Sequence, residues 1–306
     1  MRIRVILNPY ANRWRAGRMA GAVQAAFAQA GLPVELLETA APGAGAGLAQ
    51  AAAAAGYDAV VAAGGDGTLH EVVNGLLTAA GPGPSRPLGI LPLGTGNDFS
   101  DTSGLPRDLA AAVALIAAGH TRQVDAGRVT ADGVAHFFHN NCAVAMEPLV
   151  TLENIRMTRL SGNARYLVAL VKGLLKLRAW DMRIQWDGGG YEGPTYLLSV
   201  CNGPRTGGLF PMAPPARNDD GQFHYVFAPK VPPLSVLAIL ARLLRGAHLN
   251  HPRVRHGRTA RIALSSSPGT PVHADGELIA DSAAEVTYQI LPGKLTLLCR
   301  PGERPG

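Results

Sequence analysis

The chain has 306 residues, which is enough for about two domains, each able to bury a core of ordinary size. Hydrophobic residues make up 47% of the chain and charged residues only 16%, so global disorder is excluded. The formal net charge is +6, which is compatible with phosphate-bearing partners such as nucleotides, anionic membranes or nucleic acid. Charge alone does not choose among these partners.

The cysteines and the start of the chain bear on its compartment. The three cysteines are far apart in apolar segments, so no disulfide framework or metal-ligand spacing is visible. No signal peptide is recognisable, and the most apolar helical run, residues 234–244, is too short to span a bilayer and contains Arg242. We therefore expect a cytoplasmic protein whose contact with membranes is peripheral.

The first 120 or so residues alternate between strand-like and helix-like segments. Strands are predicted at residues 3–7, 34–38, 59–63 and 88–91, and helices at residues 16–30, 48–55, 69–77 and 109–118. Alternation with short loops is typical of β-α-β units around a parallel sheet. The first half is predicted to be a doubly wound α/β domain covering residues 1–122.

The pattern changes after Gly119. Short strands separated by glycine-rich turns are predicted at residues 124–129, 136–144, 182–186, 195–200, 223–227, 260–264, 285–290 and 295–298. Helical insertions are predicted at residues 164–177 and 234–244. We expect a mainly antiparallel β domain over residues 123–306, with a C-terminal tail that could pack back on the first domain.

A glycine-rich loop joins the strand at residues 59–63 to the next helix. It reads Gly64-Gly65-Asp66-Gly67-Thr68. In a parallel sheet such a turn lies at the carboxyl edge, where the amides at the start of the helix attract phosphate. The alternative is a tight turn in which Asp66 and Thr68 only cap the helix.

A second small-residue loop follows one β-α unit later, reading Pro92-Leu93-Gly94-Thr95-Gly96-Asn97-Asp98-Phe99. Two such loops at neighbouring strand ends build one site, in which Asp66 and Asp98 could hold Mg²⁺ against a polyphosphate. The alternative for Asp98 is a helix N-cap. Neither loop is a Walker A motif or completes Gly-x-Gly-x-x-Gly, so ordinary P-loop and Rossmann sites are disfavoured.

These motifs resemble those of the diacylglycerol kinase catalytic-domain family of lipid kinases, in particular its soluble bacterial members. The matching features are Asn8-Pro9 after the first strand, the Gly64 to Thr68 loop followed by Glu71 and Asn74-Gly75, the Pro92 to Phe99 loop, and Asp275-Gly276-Glu277. NAD kinases share Gly-Gly-Asp-Gly-Thr, but the second loop together with a late Asp-Gly-Glu is specific to the lipid kinases. The resemblance covers nearly the whole chain.

The resemblance implies ATP and Mg²⁺ as cofactors. The implied nucleotide-binding residues are Asn8, Pro9, Asn12, Thr39, Gly64, Gly65, Asp66, Gly67, Thr68, Leu69, His70, Glu71, Gly94, Thr95, Asn97 and Asp98. Asp66 is also placed among the catalytic residues, because with Asp98 it would organise Mg²⁺. A structural metal on a loop of the β domain is implied at Asp220, with the carbonyls of Arg217 and Gln222. The alternative is an aspartate in a plain Asp-Gly turn.

The triplet Asp275-Gly276-Glu277 lies far in sequence from the glycine loops, so domain closure would have to bring it to them. A carboxylate there could accept the proton of an alcohol and position it for in-line attack on the γ-phosphate. Asp275 and Glu277 are both candidates for this base, and Asp275 is preferred. The alternative is a plain hairpin turn, which Asp-Gly favours.

Some segments depart from the family pattern. The first loop, Asn8 to Arg13, has fewer glycines than in many relatives, and Asn141 to Ala145 replaces a glycine-richer strand end that usually continues to an aspartate, where this chain has Glu147. Five histidines lack metal-ligand spacing with one another and are interpreted as structural or solvent-exposed: His136, His139, His248, His251 and His256.

Residues 165–180 could form a membrane-facing amphipathic helix, with Leu167 in its apolar pattern and Lys172 and Lys176 one turn apart; residues 234–245 could form another. A core-packed helix with a solvated basic edge explains both patterns equally well.

The leading hypothesis is an ATP-dependent kinase that phosphorylates a hydroxyl of diacylglycerol or a related lipid alcohol at the membrane surface. The alternatives are an NAD or other small-molecule kinase, and a nucleotide-binding membrane regulator without catalysis. Nucleic acid is not an expected partner, because the basic residues are dispersed and aromatic residues make up only 6%. An exposed edge strand in the β half could pair two subunits into a homodimer.

Overall fold

A computed structural model of the chain describes residues 1–157 and 162–301, and for residues 155, 156 and 162–167 it describes the backbone only. The chain divides into two compact units, the first comprising Met1–Asp125 and Pro292–Gly306 and the second Ala126–Leu291. The assignment of residues 1–122 and 123–306 to separate folding domains stays a prediction.

The first unit is a parallel sheet with helices between its strands. Its elements are β1 (Ile3–Leu7), α1 (Ala11–Trp14), α2 (Ala20–Gln29), β2 (Val34–Glu38), α3 (Ala44–Ala54), β3 (Ala59–Gly64), α4 (Asp66–Ala79), β4 (Leu88–Pro92), α5 (Asp98–Thr102) and α6 (Leu109–Ala118). The strand order is β2-β1-β3-β4, all parallel, and Leu297 near the C-terminus adds a further parallel pairing with Leu88.

Burial explains why these segments fold in this way. Every residue of β3 is buried, as expected of a parallel strand covered on both faces. The helix α6 begins where the Asp108 carboxylate accepts the N–H of Ala111, at 2.9 Å, and ends at Gly119 in the left-handed conformation. Local capping therefore fixes the limits of a helix whose apolar face packs inward.

The second unit is mainly antiparallel. Its elements are β5 (Thr121–Ala131), β6 (Val134–Phe138), β7 (Asn141–Ala145), α7 (Met146–Arg156), α8 (Gly162–Leu175), β8 (Trp180–Trp186), β9 (Gly189–Cys201), β10 (Phe223–Pro229), α9 (Pro233–Leu243), β11 (Arg255–Thr259), β12 (Arg261–Ala274) and β13 (Glu277–Leu298). The strand order is β11-β10-β9-β7-β12-β13, and β8 pairs with β9 and β12. The first residues of β5 and the last of β13 belong to the first unit.

Two apolar clusters stabilise the second unit. One lies among the strands around Trp180, Phe223 and Tyr288, which are almost fully buried. The other includes Leu170 of α8 and Leu243 of α9. Burying side chains of this size contributes roughly 1.5–3 kcal/mol each, which opposes the entropy cost of ordering the chain.

The predicted fold class is confirmed, with a parallel α/β first unit and an antiparallel second unit. Two strand predictions were wrong. The separate strands predicted at residues 285–290 and 295–298 are one strand, β13, and residues 136–144 form β6 and β7 with a break between them. The break occurs because His139 and Asn140 donate their backbone N–H groups to the Asp275 carboxylate instead of to a neighbouring strand. Helices α1, α5 and α7 and strand β11 were not predicted. The side chain of Leu167 lies outside the described residues.

Candidate active site

The first glycine loop connects β3 to α4, as the sequence predicts. Gly65 is extended and immediately precedes the helix, and Asp66 occupies the first helical turn. Thr68, Leu69 and His70 are buried behind it. The side-chain amide of Asn8, which follows β1, donates to the hydroxyl oxygen of Thr68 at 3.1 Å. Residues at the ends of β1 and β3 thus meet at one edge of the sheet.

The two glycine loops contact each other through their backbones. The Gly64 carbonyl accepts the N–H groups of Leu93, at 2.8 Å, and Gly94, at 3.0 Å. A Cβ on Gly94 would lie 2.3 Å from the Cα of Gly65, closer than atoms in contact can approach. The loops can meet here only because residue 94 has no side chain, and a Cβ on Gly65 would also be tight, 3.2 Å from Gly94 Cα, so the small residues serve loop packing as well as any ligand.

Asp66 joins the first loop to the second. Its Oδ2 accepts the backbone N–H of Asn97 at 2.8 Å. Asn97 is in the left-handed conformation, with φ 61°, and its side-chain amide donates to the Gly94 carbonyl at 3.0 Å. Asp98 follows in the first turn of α5 and is buried, whereas Thr95 is exposed. The structure therefore brings Asp66 beside the residues that lead into Asp98.

Arg107 is a further member of this cluster that the sequence analysis missed. Its guanidinium binds the Asp101 carboxylate and donates to the Gly96 carbonyl at 3.0 Å. The hydrogen bond to Asp101 raises the pKa of Arg107, and the negative charges of Asp66 and Asp98 act in the same direction. A fixed positive charge thus lies near both carboxylates. Nothing in the periodicity or spacing of the sequence signals it.

Glu71, implied as a nucleotide-binding residue, has a structural contact. Its two carboxylate oxygens accept the N–H groups of Gly43, at 2.7 Å, and Gly45, at 2.8 Å, where α3 begins. A carboxylate at a helix start satisfies amides that have no partner inside the helix. Thr39 follows β2, is buried and donates its N–H to the Leu7 carbonyl at 2.9 Å.

The loop after β1 has a strained backbone. Asn12, Arg13 and Trp14 are all left-handed, with φ of 51°, 56° and 68°. Each such conformation costs roughly 1–2 kcal/mol for a residue with a Cβ. The loop has few glycines, so residues with a Cβ adopt left-handed conformations here that glycine would adopt more easily. The Pro9 carbonyl accepts the N–H of Gly17 at 3.2 Å, and this hydrogen bond closes the loop.

The donor set of the first unit fits a metal-bound nucleotide. Asp66 and Asp98 offer the hard oxygen ligands that Mg²⁺ requires. A Cβ on Gly96 would lie 2.7 Å from Asp66 Oδ2, so the space beside that carboxylate exists only because residue 96 is glycine. Small residues and backbone amides are the features that admit phosphate oxygens.

The Asp275-Gly276-Glu277 triplet forms the tight turn between β12 and β13. Asp275 and Gly276 are both left-handed, with φ of 51° and 88°, as a two-residue hairpin turn requires. The Asp275 side chain is only 1% exposed. Its Oδ1 accepts the N–H groups of Asn140, at 2.9 Å, and Asn141, at 3.1 Å. Its Oδ2 accepts the N–H of His139 at 3.1 Å and lies 2.9 Å from His139 Nδ1.

The two carboxylates of the triplet therefore differ in environment. Asp275 is enclosed and both its oxygens are hydrogen-bonded, whereas Glu277 is exposed at the start of β13. His139, interpreted from the sequence as structural or solvent-exposed, is buried against Asp275. Its role could not be read from spacing, because it lies 136 residues away in the chain.

The implied structural metal site lies on the loop before β10. The Asp220 carboxylate accepts the N–H of Gln222 at 3.1 Å, and its other oxygen is 3.9 Å from the Arg258 guanidinium. The Arg217 side chain binds Asp219 instead. A carboxylate with two backbone carbonyls is an all-oxygen donor set, which fits a hard cation, although Arg258 supplies a competing positive charge.

Comparison with known proteins agrees with these motifs. The family model of the diacylglycerol kinase catalytic domain matches residues 2–129, and that of the YegS C-terminal NAD kinase beta sandwich-like domain matches residues 143–299. A diacylglycerol kinase of Staphylococcus saprophyticus is 33% identical over 225 residues, which span 72% of this chain and 70% of the relative. One of Staphylococcus aureus is 32% identical over 223 residues, 72% of this chain and 68% of the relative.

Solved structures show the same architecture. A Bacillus anthracis protein with a provisional diacylglycerol kinase assignment has a TM-score of 0.79 at 25% identity, covering 98% of this chain and 97% of that one. Yeast NADH kinase, solved with NADH, has a TM-score of 0.52 at 10% identity, covers 99% of this chain and 84% of that one, and shows likeness of fold alone. The fold, the two glycine loops and these relatives indicate a kinase, which is an enzyme that transfers a phosphate group. The chain belongs to the diacylglycerol kinase family.

Family membership implies the use of ATP. Among the residues that the structure describes, no helix is both long and apolar enough to cross a bilayer.

Proposed function

We propose that the protein is an ATP-dependent lipid kinase that transfers the γ-phosphate to a hydroxyl of diacylglycerol or a related lipid alcohol. The observation that carries the proposal is the meeting of the two glycine loops, with Asp66 bonded to Asn97, in a chain of the diacylglycerol kinase family. The presence of the Asp-Gly-Glu hairpin in the second unit supports it.

The loops of the first unit bind the nucleotide in this proposal. Backbone amides from Gly65 to Thr68 and around Gly94 bind phosphate oxygens, and Asn8 and Thr39 lie beside the adenosine. Asp66 and Asp98 hold Mg²⁺, which when bound offsets the negative charge of the phosphates.

The hairpin of the second unit supplies the base. The substrate hydroxyl gives its proton to a carboxylate while its oxygen bonds to the γ-phosphorus, and the bond to the β-phosphate oxygen breaks to release ADP. Asp275 is the residue that the sequence favours, but its oxygens are enclosed by N–H donors. Exposure favours Glu277 as the group that reaches the substrate. We assign Asp275 to hold the turn.

Membrane contact is assigned to α9 in preference to α8. Leu234 and Leu237 of α9 and Leu244 directly after it are 81%, 61% and 48% exposed, while Leu243 is buried. The chain from residue 221 to residue 274 contains basic residues and no aspartate or glutamate. Exposed leucines beside positive charge suit an anionic bilayer surface. Val171 and Leu175 of α8 are also exposed, 50% and 83%, but Lys172 and Lys176, the latter directly after the helix, are paired with the buried Glu153, which takes up part of the expected basic edge.

Three further expectations stay proposals. The loop at Asp220, with the carbonyls of Arg217 and Gln222, holds a structural cation. The protein is cytoplasmic and peripherally bound to the membrane, with no nucleic-acid partner. A homodimer could form through β11, which ends the sheet order, although its exposed Arg255 and Arg258 place like charges on that edge and oppose close self-pairing.

A second candidate is an NAD or other small-molecule kinase, because the second unit matches a domain described as NAD kinase-like and yeast NADH kinase shares the fold. A catalytically silent nucleotide-binding regulator has no feature in its favour, because the loop carboxylates and the hairpin carboxylates are all present.

The test is transfer of labelled γ-phosphate from Mg²⁺-ATP to micellar diacylglycerol, monoacylglycerol, ceramide, sphingosine, phosphatidylglycerol and polyprenol, with NAD as a soluble acceptor. We expect label in a lipid. Label in NAD alone would overturn the proposal, and ATP binding with no labelled acceptor would favour the regulator.

A further inference from the structure

A buried histidine supports the Asp-Gly-Glu hairpin. His273 lies on β12 with its side chain 1% exposed, and its Nδ1 accepts the backbone N–H of Gly276 at 3.2 Å. A neutral imidazole has one nitrogen that donates and one that accepts, and a backbone N–H can only donate. The bond to Gly276 therefore requires that the proton of His273 be on Nε2.

The other side of that imidazole faces Glu147, in the first turn of α7. Glu147 Oε1 lies 3.4 Å from His273 Nε2 and accepts hydrogen bonds from the Asn141 side chain, at 2.8 Å, and the Thr206 hydroxyl, at 3.0 Å. The Glu147 side chain is 11% exposed. Burial raises its pKa, but the interactions with His273, Ser199 and Asn141 outweigh burial, so the net pKa is lowered and the group is charged at neutral pH.

Asn141 links the same carboxylate to the opposite side of the turn. Its backbone N–H donates to Asp275 Oδ1 at 3.1 Å, and its carbonyl accepts the N–H of Asp275 at 2.7 Å. Glu147 therefore contacts the turn along two routes, one through His273 to Gly276 and one through Asn141 to Asp275. Both routes end on the residues that precede Glu277.

We propose that Glu147 is a positioning residue, which holds His273 in the Nε2–H form and fixes Asn141, so that the turn presents Glu277 in one orientation. The inference rests on the proposed function for its consequence in catalysis, because Glu147 itself touches no reacting group in that scheme. A negative charge placed beside an imidazole N–H fixes the tautomer and the ring orientation, as outer partners of histidine do in metal sites.

The test compares Glu147→Met with Glu153→Met. Methionine has a similar length and no strong acceptor, and Glu153 is a matched control because it is on the same helix, is also buried and is paired to Lys176. Glu147→Gln is the conservative variant, because it keeps one acceptor oxygen. The readouts are amide hydrogen exchange at Gly276 and the ¹⁵N NMR signature of the His273 ring, neither of which needs an acceptor lipid.

We expect native His273 to carry its proton on Nε2. In Glu147→Met the Gly276 amide should exchange about fivefold faster, as expected for the loss of one hydrogen bond, and Glu147→Gln should restore part of that protection. Exchange in Glu153→Met should match the native chain. With a lipid that the native chain labels in the transfer assay, kcat of Glu147→Met should fall about 10- to 100-fold with the KM for ATP unchanged.

Two results would overturn the inference: a proton on Nδ1 of native His273, or equal Gly276 exchange in Glu147→Met and Glu153→Met. The position of the His273 proton is measured on the native chain, so this result tests the inference even if a variant does not fold. Failure of the proposed function has a separate signature, in which the native chain labels no lipid while Gly276 exchange still responds to Glu147→Met.

Discussion

Replacing Gly94 by alanine tests whether the two glycine loops must touch for the nucleotide to bind. The added Cβ would lie 2.3 Å from Gly65 Cα, 2.8 Å from Asn97 Oδ1 and 3.1 Å from Gly65 N. Ordinary contacts begin at 3.4 Å, so relief requires the backbones to separate by 3.4 − 2.3 = 1.1 Å. The neighbours are mostly backbone atoms, which cannot move aside as the end of a flexible side chain can.

Overpacking of this kind costs about 1–3 kcal/mol of unfolding free energy. Because the same shift also displaces the Gly64 carbonyl and the Asn97 N–H, we expect the Kd for Mg²⁺-ATP to rise about tenfold or more, which corresponds to about 1.4 kcal/mol. Urea unfolding measures the first quantity and isothermal titration calorimetry the second.

Gly21→Ala is the matched control. Gly21 lies in α2, and an added Cβ there meets nothing within 4 Å. Alanine is a better helix former than glycine, so Gly21→Ala should stabilise the chain by up to about 1 kcal/mol and leave ATP binding unchanged. Native ATP affinity in Gly94→Ala would refute the reasoning, because the loops would then not need to touch.

Three further predictions concern stability and reactivity. Arg13→Gly should raise the unfolding free energy by about 1 kcal/mol in urea titrations, because glycine relieves a left-handed residue; no gain would argue against the strain. Burial lowers the pKa of His248 below its usual value, although its bond to the Met212 carbonyl opposes this, so the unfolded chain takes up the proton first and stability should fall as the pH drops below about 6.5. His248→Gln should reduce that dependence in unfolding curves measured from pH 7.5 to 5, with the part due to His224, whose pKa burial lowers to about 4, remaining, and an unchanged slope would contradict the assignment. Burial raises the pKa of the Cys142 and Cys201 thiols, so both should resist a thiol reagent until urea unfolds the chain, and rapid labelling of either in the native state would contradict their burial.

The glycine loops could be predicted from sequence because the requirement behind them is local. A strand that ends in Gly64-Gly65-Asp66 places small residues and a helix start at one point of the chain, whatever the rest of the fold does. The alternation of strands and helices likewise depends on short-range pattern. The loop from Pro92 to Phe99 could be predicted for the same reason, because it also follows a short apolar strand.

The polar groups around the hairpin could not be predicted, because they meet only through tertiary structure. Asp275 bonds to the backbone of His139 across 136 positions of the chain, and Glu147 meets His273 only where β7 pairs with β12. A lone buried histidine has no periodicity that reports its partner. The strand expected across residues 136–144 was wrong for the same reason, because its central N–H groups bind a distant carboxylate.

The measurement that tests the account most directly is the rate of phosphate transfer from Mg²⁺-ATP to micellar diacylglycerol by the native chain and by Glu277→Gln, with ATP affinity measured on both. We expect the native chain to label the lipid and Glu277→Gln to lose about 10²- to 10⁴-fold in kcat, as expected for removal of a general base, with unchanged ATP affinity. Glu192→Gln, another exposed glutamate of the second unit, serves as the control and should keep native activity. Full transfer by Glu277→Gln, or no lipid labelled by the native chain, would contradict the account.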